Sequence, residues 1–150
     1  NERIATAFES DSSGKAAIGH GYTYSGHPVG AAAALAAIAE TRRLDVVTNA
    51  AARGTQLYDG MVSLAGQYPV VGDVRGGHGL MTAMELVADR ETKAPIDGKL
   101  AIKMQKAAYQ AGALIRVSGP NVILSPSLVI EEADIDIALN AVEEGLKAIS

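Results

Sequence analysis

The chain has 150 residues, a formal net charge of -4 at pH 7 and a hydrophobic fraction of 48%. This length and composition suit one folded domain and exclude a disordered tail. The acidic balance gives no electrostatic reason to expect nucleic acid or an acidic membrane as a partner, and the absence of cysteine excludes disulfides, thiolate zinc sites and thiol nucleophiles. We therefore expect a cytoplasmic protein that binds a small molecule or another protein.

The start of the chain has no methionine and no secretory signal, so we expect a piece of a longer protein. Residues 2–8 suit a short helical turn, and residues 9–17 suit a loop. Residues 29–39 are apolar and rich in alanine but too short to cross a bilayer, which takes about 20 residues. Because proline is favoured in a first helical turn, Pro28 and this run predict a helix over residues 27–42.

The next segment predicts a long helix that ends near Gly66, followed by two strands. The predicted buried stripe has three- and four-residue spacing. It consists of Leu44, Val47, Ala51, Gly54, Tyr58, Met61 and Leu64. Residues 70–75 and 80–87 are β-like, and the glycine-rich residues 76–79 between them predict a hairpin or a tight bend between antiparallel strands.

The remainder alternates helices with short strands. Asp97 is a good N-cap, and Gly112 is a good first residue after the C-terminus, for a helix between them whose lysines face outward. Residues 113–117 and 122–125 predict strands around a turn at 118–121. Residues 131–149 predict a last helix. Its expected buried residues are Ile135, Leu139, Val142, Leu146 and Ile149. This order predicts an α+β fold.

The loop before Pro28 could bind a phosphate. Thr23, Ser25 and Gly26 precede a helix N-terminus, where free N–H groups and the positive end of the helix dipole favour an anion. Ordinary helix capping explains the same residues, and the local features alone favour that interpretation.

The segment GHGYTYSGHPVGAAAALA resembles the class III aminotransferases, which use pyridoxal 5'-phosphate (PLP) and have the fold of type I PLP-dependent transferases. In that family the threonine of TYSGHP, here Thr23, holds the PLP phosphate of the neighbouring subunit. The resemblance therefore implies PLP as cofactor, an obligate homodimer with shared active sites, and the remainder of the enzyme upstream of Asn1.

Residues 71–87, VGDVRGGHGLMTAMELV, resemble the strand pair with the VRG-x-G-L pattern that leads into the family's small C-terminal domain. Gly77 and His78 stand where the family usually has one residue, which puts the geometry of the bend in doubt. The resemblance implies that residues 1–66 end the large PLP-binding domain and that residues 67–150 form the small α+β domain.

Residues 112–130, GALIRVSGPNVILSPSLVI, resemble the segment that holds the substrate-carboxylate arginine of many amine and ω-amino-acid transaminases. Arg116 occupies that position. A guanidinium presents a planar fork that pairs with both oxygens of a carboxylate. Without the resemblance, a surface arginine in a weak ion pair is the simpler interpretation.

Two family groups are not recognisable in this chain, namely the lysine that forms the Schiff base with PLP and the aspartate that pairs with its pyridinium nitrogen. Lys15 precedes the TYSGHP motif, but its surroundings suit a solvated loop lysine. His20, His27 and His78 lack the spacing of metal ligands, so we expect them in loop packing. The glutamate pairs of the last helix, Glu131–Glu132 and Glu143–Glu144, suit solvated charges or charges that complement the helix dipole.

The implied activity is PLP-dependent transamination between an amine or amino acid and a keto acid such as pyruvate, performed by a longer enzyme. Other family members, such as aminomutases and dialkylglycine decarboxylases, share much of this segment. A non-catalytic α+β module for dimerisation or binding is the alternative from another class of protein.

Overall fold

The computed structural model describes residues 1–16 and 21–150. The chain divides into two compact units, Asn1–Ala39 and Glu40–Ser150. Ala17 and His20, which we expected in loops, lie outside the described residues. The domain division expected after residue 66 refers to a longer enzyme and stays a prediction.

The first unit contains α1 (Glu2–Glu9) and most of α2 (Pro28–Arg43). The Asn1 side chain caps α1, because its oxygen accepts a hydrogen bond from the N–H of Arg3 at 3.1 Å. Pro28 begins α2, as the sequence predicts. Neither helix buries a side chain.

The second unit is an antiparallel sheet with three helices. Its elements are α3 (Val46–Gln67), β1 (Val71–Arg75), β2 (Thr82–Asp89), β3 (Ala94–Pro95), α4 (Gly98–Gln110), β4 (Arg116–Ser118), β5 (Asn121–Leu124) and α5 (Glu132–Ile149). The strand order is β1-β2-β5-β4, and the short β3 pairs with β2. All pairs are antiparallel. The predicted α+β fold is confirmed.

The core of the second unit lies between one face of the sheet and the helices. Alternate residues of β2 and β5 are buried, as expected for strands with one covered face. The helices contribute Leu57, Met61, Met104, Ile135, Val142 and Leu146, each with no exposed surface. α5 packs on both α3 and α4. The predicted inward face of α5 is correct, although Leu139 and Ile149 on it are only half-buried.

The predicted buried stripe of α3 is wrong at its first turns. Leu44, Val47 and Ala51 are exposed, whereas Val46 is buried. Leu44 precedes Asp45, whose φ of 46° is left-handed and separates α2 from α3, whereas Val47 and Ala51 lie inside α3 on its exposed side. The break accounts for Leu44, and in the first two turns of α3 only Val46 is buried. Further along, the stripe passes through Leu57, while Tyr58 is half-buried.

No helix in the described ranges is long and apolar enough to span a bilayer.

Candidate functional site

Thr23 lies in a pair of consecutive turns that lead into α2. The N–H of Ser25 donates to the carbonyl of Tyr22 at 3.0 Å, and the N–H of His27 donates to the carbonyl of Tyr24 at 3.2 Å. Gly26 has a φ of 71°, a left-handed conformation that glycine adopts without strain. These turns expose the hydroxyls of the segment just before the helix.

The N-terminus of α2 offers further donors close to Thr23 in sequence. The first helical hydrogen bond runs from the N–H of Ala31 to the carbonyl of His27 at 2.9 Å. The N–H groups of Val29 and Gly30 therefore precede the helical hydrogen-bond ladder. A shallow hollow here is lined by Tyr24, Gly26, His27, Gly30 and Ala31. Hydroxyl and N–H donors at the positive end of a helix dipole suit a phosphate, and the lining contains no carboxylate.

Arg116 begins β4, the strand at the edge of the sheet. It is exposed and lines an open pocket of about 540 Å³ in the second unit. Three apolar side chains that line the same pocket are also well exposed: Met81 at 69%, Leu114 at 80% and Ile137 at 52%. The arginine thus adds a fixed positive charge to an apolar pocket.

Within residues 1–16 and 21–150, no carboxylate forms an ion pair with the Arg116 guanidinium. Asp134 lines the pocket, but its carboxylate accepts a hydrogen bond from the N–H of Glu131 at 3.4 Å as part of the cap of α5. The sequence alone suggests a surface arginine in an ion pair. The described residues contain no such ion pair for Arg116.

A second arginine on the same face of the sheet differs from Arg116 in its partners. Arg75 on β1 lies in one row across the sheet with Ala83, Ile123 and Arg116. Its guanidinium donates to Asn121 Oδ1 at 2.7 Å, and it lies 3.5 Å from a carboxylate oxygen of Glu85. The hydrogen bond and ion pair of Arg75 account for it as a structural residue, for which its position in the sequence has no separate signal.

The lysine and histidines considered from the sequence, Lys15, His27 and His78, do not belong to any group of metal-ligating side chains among the described residues. Lys15 is exposed. His78 is exposed, and the His27 ring stands edge-on to the Tyr24 ring with centroids 6.2 Å apart. The residues that the structure describes contain no group of three or more metal-ligating side chains.

The glutamates expected as solvated charges have partners. Lys147 pairs with Glu143 at 3.3 Å and with Glu144 at 2.8 Å. The Tyr68 hydroxyl donates to Glu143 at 3.1 Å. Burial raises the pKa of Tyr68, and the hydrogen bond to Glu143 raises it further. This cluster ties the end of α3 to α5 and is structural.

Comparison with known families identifies one model, Aminotransferase class-III, which matches residues 1–146. The taurine–pyruvate aminotransferase of Bilophila wadsworthia is 37% identical over 134 residues, which is 85% of this chain and 29% of that protein. The leucine/methionine racemase of Thermococcus litoralis is 35% identical over 130 residues, which is 86% of this chain and 29% of that protein.

A solved structure has the same fold. The PLP-bound amine transaminase from an uncultivated Pseudomonas species superposes with a TM-score of 0.89 at 39% identity. The match covers 100% of this chain and 34% of that one. The chain thus spans about a third of the length of the proteins it matches.

Proposed function

Because the chain belongs to the class III aminotransferase family, we propose that it is part of a PLP-dependent enzyme that transfers an amino group between an amine or amino acid and a keto acid such as pyruvate. The observation that supports this most directly is the Arg116 guanidinium, which lines an apolar pocket and has no carboxylate partner among the described residues. A keto acid and an amino acid share the carboxylate that such a fork binds. Arg116 would then orient both substrates through the carboxylate that they share.

The residues around Thr23 fit the phosphate of PLP. The Thr23 and Ser25 hydroxyls and the first N–H groups of α2 are donors suited to a dianion, and Gly26 and Gly30 leave open space beside them. We propose that Thr23 donates its hydroxyl to this phosphate in the neighbouring subunit. When bound, PLP supplies an electron-accepting pyridine ring that stabilises the charge left on the substrate carbon. Thr23 would thus anchor the cofactor without taking part in bond breaking.

The exposed side chains of α2 support a homodimer and further chain upstream of Asn1. Val29 is 70% exposed, Leu35 69% and Ile38 50%. α2 buries no residue although its sequence is largely alanine and aliphatic. An apolar surface of this kind normally packs against protein. We propose that the partner subunit and the remaining chain cover it.

The proposed enzyme needs a lysine and an aspartate that contact PLP, and neither is recognisable in residues 1–150. Lys15 is exposed in a segment without the family pattern, so the lysine and the aspartate that contact PLP are assigned to the upstream chain. Within the whole enzyme, residues 1–66 would end the large domain and residues 67–150 would form the small one. The absence of cysteine suits a reducing cytoplasm.

The test is the activity of the full-length protein supplied with PLP. We expect formation of alanine from pyruvate when an amine or amino acid is the donor, and no alanine when PLP is removed. A panel of donors with and without a carboxylate defines the substrate class. Racemisation of an amino acid without alanine formation would replace the transaminase proposal by a different family reaction, and a protein inert with PLP would favour a non-catalytic module.

A further inference from the structure

Gln105, on α4, holds the backbone immediately before Arg116. Its side-chain Nε2 donates to the carbonyl oxygen of Ile115 at 2.8 Å, in a partly buried position. We propose that Gln105 is a positioning residue for Arg116: it fixes the edge strand from which the guanidinium reaches the substrate carboxylate. This inference rests on the proposed function, since it assumes that Arg116 binds a carboxylate.

The carbonyl of Ile115 needs this donor because of its place in the fold. β4 is the edge strand, and its pairing with β5 begins one residue later, at Arg116 opposite Ile123. Ile115 itself is only 3% exposed. A buried carbonyl without a partner costs free energy, so a side-chain donor from α4 replaces the missing neighbouring strand.

Two contacts therefore fix Ile115: its side chain packs in the core, and its carbonyl accepts a hydrogen bond from Gln105. Arg116 has no such restraint of its own, because its guanidinium has no partner among the described residues. Its position therefore depends on the backbone beneath it. β4 has only three residues, and a short edge strand opens easily when an anchor is lost.

The test of this inference uses the full-length protein with PLP and the variant Gln105→Leu. This substitution keeps much of the side-chain volume and removes the amide that donates to Ile115. Gln110→Leu is the control, because Gln110 is an exposed glutamine on the same helix. The substrates are L-alanine and pyruvate, which have a carboxylate, and benzylamine, which has none. Half-reactions are followed separately, so that benzylamine is measured without any keto acid.

For Gln105→Leu we expect kcat/KM to fall roughly 3- to 10-fold for L-alanine and pyruvate, mainly through KM, as the loss of one hydrogen bond implies. The value for benzylamine should stay within about 2-fold, and Gln110→Leu should change none of the three by more than that. Amide hydrogen exchange, a readout independent of activity, should be faster in β4 of Gln105→Leu.

A double-mutant cycle separates positioning from general stability. If Gln105 acts through Arg116, then Gln105→Leu added to Arg116→Ala causes no further loss with L-alanine. Additive losses, or equal losses for benzylamine and L-alanine, would overturn the inference while leaving the transaminase proposal intact. A wild-type protein that is inert with PLP toward the whole donor panel would instead refute the proposed function, and this inference with it.

Discussion

A Cβ atom on Gly54 would lie 2.3 Å from the carbonyl oxygen of Gly79. α3 and the loop between β1 and β2 therefore meet backbone to backbone, with no room for a side chain. We expect Gly54→Ala to lower the free energy of unfolding by about 1–3 kcal/mol, because the loop or the helix must move to admit a methyl group. Urea unfolding of the purified protein measures this loss.

The matched control is Gly66→Ala, in the same helix. Apart from its chain neighbours and the backbone of its own helix, no atom of residues 1–16 and 21–150 lies within 4 Å of a Cβ built on Gly66, so the substitution meets open space. Since alanine favours a helix over glycine by up to about 1 kcal/mol, this variant should be neutral or slightly more stable. Equal destabilisation by both substitutions would contradict the close approach at Gly79.

The pKa of Asp89 gives a second test in the unit Glu40–Ser150. The backbone N–H and the hydroxyl of Thr92 both donate to Asp89 Oδ1 at 2.7 Å, and these hydrogen bonds hold the pKa of Asp89 below its ordinary value. A lowered pKa means that this carboxylate stabilises the fold above the unfolded pKa, and that the stabilisation is lost as pH falls through the folded pKa.

We expect Thr92→Val to raise the pKa of Asp89 part of the way to its ordinary value, because the hydroxyl is lost and the backbone N–H remains. An NMR titration of the aspartate side chains measures this change. Thr41→Val, which alters an exposed helical threonine, is the control and should leave Asp89 unchanged. A pKa that does not respond to Thr92→Val would mean that the hydroxyl bond is not maintained in solution.

Local signals predicted most of the elements. Asp97 was expected to cap α4, and its side chain accepts a hydrogen bond from the N–H of Lys99 at 2.9 Å. A helix cap forms between residues two or three positions apart, so it can be recognised from the sequence alone. β3 was not predicted, because Ala94 and Pro95 have no strand periodicity and pair with β2 only through tertiary structure. Leu44 was misplaced because the left-handed Asp45 has no distinct sequence signal. The exposure of Val47 and Ala51 depends on which side of α3 the rest of the unit covers, which the spacing of apolar residues does not show.

The candidate site depended on resemblance more than on pattern. Thr23 looks like an ordinary capping residue and Arg116 like an ordinary surface arginine, and only the surrounding family motifs single them out. Their proposed roles stay predictions. Gln105 had no signal at all, since its hydrogen bond to Ile115 depends on how α4 packs against the start of β4. Contacts between elements of this kind cannot be deduced from spacing along the chain.

The proposed role of Thr23 predicts a loss of cofactor affinity in the full-length protein when its hydroxyl is removed. Removing its hydroxyl deletes one hydrogen bond to a charged phosphate, worth about 1.5–3 kcal/mol, so Thr23→Ala should weaken PLP retention roughly 10- to 150-fold. Equilibrium dialysis against PLP measures this effect. Thr23→Ser keeps a hydroxyl and should restore most of the affinity. Unchanged retention in Thr23→Ala would reduce Thr23 to a residue of the turn.

The proposed role of Arg116 predicts that its loss affects substrates with a carboxylate and spares simple amines, a difference that a surface arginine would not produce. Arg116→Ala should cost about 2 kcal/mol or more in kcat/KM for pyruvate and for amino-acid donors, because their carboxylate loses a charged partner. Simple amines have no carboxylate, so their half-reaction, followed without keto acid, should be nearly unchanged. Arg43→Ala, which removes an exposed arginine paired with Glu40, is the control and should spare both classes. Equal losses for amines and carboxylates would indicate damage to folding or to the dimer, and Arg116 would then lose its role in substrate choice.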